Sequence, residues 1–231
     1  GGLLALRLKS YFCSRALQLG ALMAEALRYL REALGEQRVG PLPSFSLLHA
    51  IKALALLARA GPLGRAALSR RLGIGEGAVR TLLNRLIKHG LVRTTRQGCE
   101  LAERGRELWE ELSSHLAKMV ELGEPALPHP YRHGFAILVK RAAGKVRLGI
   151  EQRDEAIRAG ARGAITLVLE GGRLRMPGVS EDVSADYPGL YRAVAESLRP
   201  NERDVVIIAY AEDPLAAEYG ALAAALSLLE R

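Results

Sequence analysis

GPLGRAALSRRLGIGEGAVRTLLNRL, residues 61–86, decides how the first half of the chain reads. Arg65 to Leu72 has the composition of a short helix, and Gly73-Ile74-Gly75 stops it with a tight turn. A second helix is predicted from Glu76 to His89, ended by Gly90. Toward a core it offers Ala78, Val79, Leu82, Leu83, Leu86 and Ile87. Away from the core, Gly77, Arg80, Thr81, Asn84 and Lys88 follow the helical repeat and form one polar stripe.

Upstream, Ser46 to Arg59 predicts a helix with Leu47, Leu48, Ile51, Leu54 and Leu57 on its apolar side. Downstream, Leu91–Thr95 and Cys99–Leu101 read as two strands joined at a Gln97-Gly98 tip. Ala102 to Leu122 then reads as one long helix through Leu108, Leu112, Leu116 and Met119. Three helices followed by a two-stranded hairpin is the order of a winged helix-turn-helix, and that fold is expected for residues 45–122. Residues 15–34 predict a further helix whose apolar face carries Leu19, Leu22, Met23, Ala26, Leu27, Leu30 and Leu34. Either it packs on the body or it is a dimerisation arm. Gly35 and Gly40-Pro41-Leu42-Pro43 end this 1–44 extension.

Charge is distributed unevenly. The 231 residues carry 33 Lys and Arg against 25 Asp and Glu, a net charge of +8. Residues 45–118 hold 13 basic and 6 acidic groups, whereas residues 119–231 hold 14 and 16. A polyanion partner is therefore expected for the first half only. Aromatic residues are 5% of the chain, too few for a base-stacking platform on single strands, so duplex DNA is the expected polyanion. On the stripe, Arg80 has the donor fork for guanine O6 and N7, Asn84 the amide for adenine N6 and N7, and Thr81 a methyl and hydroxyl for a thymine methyl or a phosphate. Gly77 leaves the helix start open to a phosphate. Arg70, Arg71, Arg93 and Arg96 flank the helix as candidate phosphate contacts. The alternative is that the stripe is an ordinary solvated helix face.

Three prolines between Pro125 and Pro130 place a linker at 123–130. Beyond it strands and helices alternate: a strand at 135–139, a helix at 150–159, a hairpin at 164–169 and 173–176 turning on Gly171-Gly172, a helix at 187–198, a strand at 205–210 and a helix at 214–229. This order predicts a ferredoxin-like α/β sandwich for residues 131–231, with the almost unbroken apolar run Val205–Tyr210 at its centre. Arg153, Asp154, Thr166, Glu212 and Asp213 are candidate groups for a small-molecule effector. Against that, Asp154 suits a helix start and Glu212-Asp213-Pro214 a helix cap.

Residues 61–86, the stretch EQRDEAIRAGARGA at 151–164, Met176-Pro177, and VVIIAYAEDP at 205–214 resemble archaeal winged-helix transcription regulators. They are similar above all to two-domain proteins in which a winged helix precedes a C-terminal domain of unknown function. The resemblance covers roughly residues 46–229. It implies a DNA-binding regulator with a sensing or assembly domain, and it supplies no ligand.

No phosphate-binding loop, dinucleotide fingerprint, H-E-x-x-H or G-x-S-x-G is present, so neither a cofactor nor catalysis is expected. His129 and His133 are separated by Pro130, which spoils a helical metal pair. Cys13 and Cys99 are too few for a disulfide framework, and no apolar run reaches a membrane span. A cytoplasmic homodimer is expected, with the helices at 15–34 and 102–122 as candidate seams. The competing expectation is a small-metabolite enzyme in the C-terminal domain, with the winged helix as accessory.

Overall fold

Gly73, at φ 69°, turns the chain between two helices whose bounds match the reading of the sequence closely: α3, Arg65–Leu72, and α4, Glu76–Lys88. The computed structural model describes residues 21–35, 44–123 and 131–230, in which helix α1 occupies 21–34 and α2 is Leu47–Ala60. The Gly40–Pro43 stop, residues 15–20 and the linker prolines lie outside the described residues. Helix α2 starts where Ser46 donates its backbone N–H to His49 Nδ1 at 3.0 Å, a capping-box contact in which histidine takes the usual Glu or Gln position.

After α4 come β1, Val92–Thr95, and β2, Gly98–Leu101, an antiparallel hairpin with Thr95 opposite Gly98. Leu63 pairs with Cys99 through two backbone hydrogen bonds of 2.9 Å, adding a short third rung that the sequence does not announce. Gly98 permits this rung. A Cβ there would lie 2.6 Å from the Leu63 carbonyl carbon, and its φ of 137° is open essentially only to glycine.

The core of this first unit, which ends at Leu112, takes Ile51 and Leu54 from α2, Leu68 and Leu72 from α3, and Val79, Leu82, Leu83 and Leu86 from α4. Each such side chain contributes roughly 1.5–3 kcal/mol on burial. Four of them on α4 fix which face of that helix turns inward. Helix α1 packs on this same body. Met23, Leu27, Leu30 and Leu34 are buried, Tyr29 Oη donates to the His89 carbonyl at 2.9 Å, and Arg85 donates to the Leu34 carbonyl. Leu22, read as part of the apolar face, is instead exposed.

The long helix expected over 102–122 is corrected. Helix α5 is Glu103–His115, and Leu116–Leu122 is a strand, β3. Its buried positions, Leu116, Met119 and Leu122, lie three apart and so mimic a helical stripe. A register shift separates Leu116 from Lys118, and beyond it the strand is regular, so Met119, opposite Ile137, and Leu122, in one core with Ala136 and Leu138, fall on opposite faces of the sheet.

The second unit, from Ser113 onward, is built on a five-stranded sheet: β3, β4 (His133–Val139), β7 (Val205–Ala211), β5 (Gly163–Glu170) and β6 (Arg173–Arg175), in that order, all neighbours antiparallel. In a ferredoxin-like sheet the hairpin strand β6 would lie between β4 and β5. Here β7 lies there and β6 is at the edge. The residues explain the exchange: β7 is buried at every position but Tyr210, while the three-residue β6 leaves Arg173 exposed. One face of the sheet, with Ala136, Leu138, Leu167, Val206 and Ile208, is covered by Val183 of α7 (Val183–Asp186) and by Leu190 and Val194 of α8 (Pro188–Ser197). The other carries α6, Ile150–Arg158, and α9, Pro214–Leu229, where Gly220 brings α9 against Ala161 and Ala209.

Candidate nucleic-acid interface

Helix α4 presents Gly77, Arg80, Thr81, Asn84 and Lys88 to solvent, so the stripe read from the sequence faces outward. Ile87 departs from expectation. It is 38% exposed and lies on the outward side, next to Asn84. Arg80, Leu83, Asn84 and Ile87 form one wall of an open cleft of about 310 Å³, whose other walls are Leu63, Gly64 and Arg65 at the start of α3 and Thr94, Gly98 and Cys99 of the hairpin. Arg65, absent from the sequence-based set, thereby lines the same cleft as Arg80. What the sequence lacked was the Leu63–Cys99 rung, which brings the start of α3 to the hairpin.

Eleven of the thirteen basic residues of 45–118 divide by their contacts. Lys52 is buried in α2. Arg85 stacks over the Phe45 ring at 5.2 Å, Arg104 over Tyr29 at 5.1 Å, and Arg106 donates to the Leu101 carbonyl at 2.8 Å. These cations hold the unit together. Arg65, Arg70, Arg71, Arg80, Lys88 and Arg96 are exposed. Arg93 is exposed too, but it pairs with Glu100 directly across the hairpin at 2.7 Å, so it brings less net positive charge than the sequence suggests. Thr81 Oγ1 donates to the Gly77 carbonyl at 3.1 Å, which occupies its hydroxyl hydrogen.

Of the five candidate effector residues of the second unit, only Arg153 and Asp154 are bonded to each other among the described residues. Thr166 lies against Gly149 at the start of α6. Asp213 is the N-cap of α9, accepting from Ala216 N at 2.9 Å, in line with the cap reading of Glu212-Asp213-Pro214. Thr166 pairs with Ile207, five residues before Glu212, roughly 17 Å along a strand. Arg153 and Asp154 pair with each other at 3.1 Å on the exposed side of α6. Burial and the neighbouring Tyr131 push the Tyr210 hydroxyl pKa upward, and the positive charge of Arg153 opposes that push. Tyr131 and Tyr210 stack with ring centroids 5.3 Å apart.

His133 contacts Glu121 at 3.1 Å, and His129 lies outside the described residues. Among the described residues no group of three metal-ligating side chains converges, and no helix is long and apolar enough to cross a membrane. Cys99 is buried in β2.

The class is thus a two-unit protein with a basic helical unit ahead of an antiparallel-sheet α/β unit. Residues 48–107 match the model of the PH0730-like N-terminal domain, and residues 131–228 match the domain of unknown function DUF4443. The chain is similar to a solved structure, the hypothetical protein PH0730 from Pyrococcus horikoshii OT3. The two are 31% identical over 80% of this chain and 93% of that one, with a TM-score of 0.66. The chain therefore belongs to the PH0730-like family. A search of curated proteins found no match.

Proposed function

We propose that this protein is a transcription regulator that binds duplex DNA through its first unit, a winged helix-turn-helix. In this reading α4 enters the major groove and the β1–β2 hairpin is the wing. The observation that supports it is the exposed Arg80–Thr81–Asn84–Lys88 face beside a cleft rimmed by Arg65, in the half of the chain with the excess of basic residues. A major groove admits one helix and is read by side chains on its outer face. Arg80 and Asn84 have the donor and acceptor sets for guanine and adenine, and Ile87 offers an apolar surface to a thymine methyl. Arg65, Arg70, Arg71, Lys88 and Arg96 take the bordering phosphates. The second unit senses an effector or mediates assembly, and the protein acts as a homodimer, so that two α4 helices meet half-sites about 34–36 Å apart. It is a binding protein, with no reaction assigned to it.

The test is selection of bound sequences from a random duplex pool, followed by anisotropy titration of the winner across a salt series. A specific site bound at least ~10³-fold more tightly than random duplex supports the reading. Binding of the pool with no sequence enrichment leaves α4 without a reading role.

A further inference from the structure

Among the described residues, the three non-glycine positions with positive φ are all arginines: Arg141 at 52°, Arg199 at 51° and Arg203 at 69°. Glycine or asparagine meets such a turn at lower cost. All three lie at one end of the second unit's sheet. Arg141 follows β4, Arg199 and Arg203 precede β7, and Val139 of β4 pairs with Val205 of β7. The two loops are bound to each other. Ala143 N–H donates to the Arg203 carbonyl at 3.0 Å. The buried Asp204 carboxylate accepts from Lys140 Nζ at 2.7 Å, Arg141 N at 3.0 Å and Asn201 N at 2.8 Å. Lys145 and Arg147 continue the first loop.

The neighbouring acids are already engaged. Asp204 holds the two loops, and Glu202 accepts from Gly171 N at 2.8 Å and Gly172 N at 3.2 Å. Elsewhere on this unit Arg153, Arg158 and Arg175 have carboxylate partners. Arg141, Arg147, Arg199 and Arg203 are exposed and, among the described residues, have none. Residues 119–231 carry more acidic than basic groups, so this concentration of positive charge is not a by-product of composition.

We propose that this end of the α/β unit is a second polyanion-binding surface, and that it takes the phosphodiester backbone of a nucleic acid. Exposed guanidiniums spread over two loops suit a chain of phosphates, each met separately. A single small anion is held best by donors that converge on one point. Arginine is the side chain suited to phosphate oxygens. The inference goes beyond the α4 reading, since none of these residues belongs to the first unit.

The experiment uses the full chain and a random-sequence 30-base-pair duplex. The slope of log affinity against log salt is compared for the parent, R141N/R199N/R203N, and a charge-matched control, R158Q/R162Q/R192Q. Asparagine tolerates the left-handed backbone, and thermal melts check that each variant folds. Each lost phosphate contact lowers the slope by about 0.9, so the patch variant is expected to lose between two and three units and the control less than one. Equal losses overturn the proposal, because they mean only long-range charge. R80A/N84A, run on the selected duplex, separates the two readings. Lost sequence preference with an unchanged patch slope sinks this proposal alone. A lost patch slope with preference intact in R80A/N84A sinks the α4 reading alone. A parent that binds no duplex sinks both.

Discussion

Arg80 and Asn84 are one helical turn apart on the exposed face of α4 and share a cleft wall. Under the proposed DNA-binding function they would read neighbouring base pairs. Arg80→Ala is expected to weaken specific binding by ~1–3 kcal/mol and to relax one position of the selected site. An equal loss on every sequence would instead make Arg80 a phosphate contact. Two glycines give contrasting outcomes. A Cβ on Gly105 would lie 1.9 Å from the Leu91 carbonyl oxygen, where α5 crosses the start of the hairpin. That neighbour is backbone and cannot swing aside, so Gly105→Ala costs at least the ~1–3 kcal/mol of ordinary overpacking. Calorimetry should show Tm falling by about 2–4 °C per kcal/mol in a chain of this size. A Cβ on Gly77, by contrast, would meet nothing within 4 Å, and the backbone there is ordinary helix. Gly77→Ala should therefore raise stability by ~0.4–1 kcal/mol. If it also weakens DNA binding, the phosphate approach at the helix start is real; if binding is unchanged, Gly77 is only a helix residue.

The elements differ in how openly the sequence announces them. Helices α3, α4 and α9 are legible nearly to the residue, because glycines or Asp213-Pro214 mark their ends and helix-period apolar positions fill α4. The outward stripe of α4 is legible for the same reason. Strand β3 is not, since Leu116, Met119 and Leu122 fit a helix as well as an irregular strand and only pairing with β4 decides. Hydrophobicity alone turns Ile87 inward, although its wall of α4 meets an open cleft. Nor is the sheet order legible, because a hairpin and a βαβ pattern leave open which strand enters the middle; burial of β7 on both faces settles it. The start of α2 carries its own pH dependence. Burial, and next the nearby Lys52 charge, lower the pKa of His49 below its usual 6.5. The unfolded chain then takes up a proton before the folded one, so stability is lost as pH falls below about 6.5. Thermal melts at pH 7.5 and 5.0 should show this loss, and His49→Gln should reduce it. Glutamine keeps the N3 capping geometry but does not titrate. An unchanged pH dependence in the variant assigns the effect to other groups.

For the whole molecule, the proline-rich 123–130 stretch and the division between compact units do not coincide. The units part at Leu112/Ser113, and β3 belongs with the second. Leu122 of β3 sits in the same core as Ala136, Leu138 and Val206, and β4 is hydrogen-bonded to β3 along its outer side from Leu116 to Leu122. A fragment cut at the prolines, 123–231, therefore loses the edge strand and presents β4, an apolar strand, as an unpaired edge. Such an edge pairs with other chains. The fragment 113–231 retains the whole sheet. Expressed side by side, 113–231 should give a monodisperse species with a cooperative melt, whereas 123–231 should self-associate in light scattering. The complementary fragment ending at His115 keeps every exposed cation of α3, α4 and the hairpin, along with the full apolar core of the first unit. It should fold and retain sequence preference, with a shallower salt slope than the full chain if the Arg141–Arg199–Arg203 surface also meets phosphates. A monodisperse 123–231 would show that β3 is dispensable and that the prolines, after all, mark the working boundary.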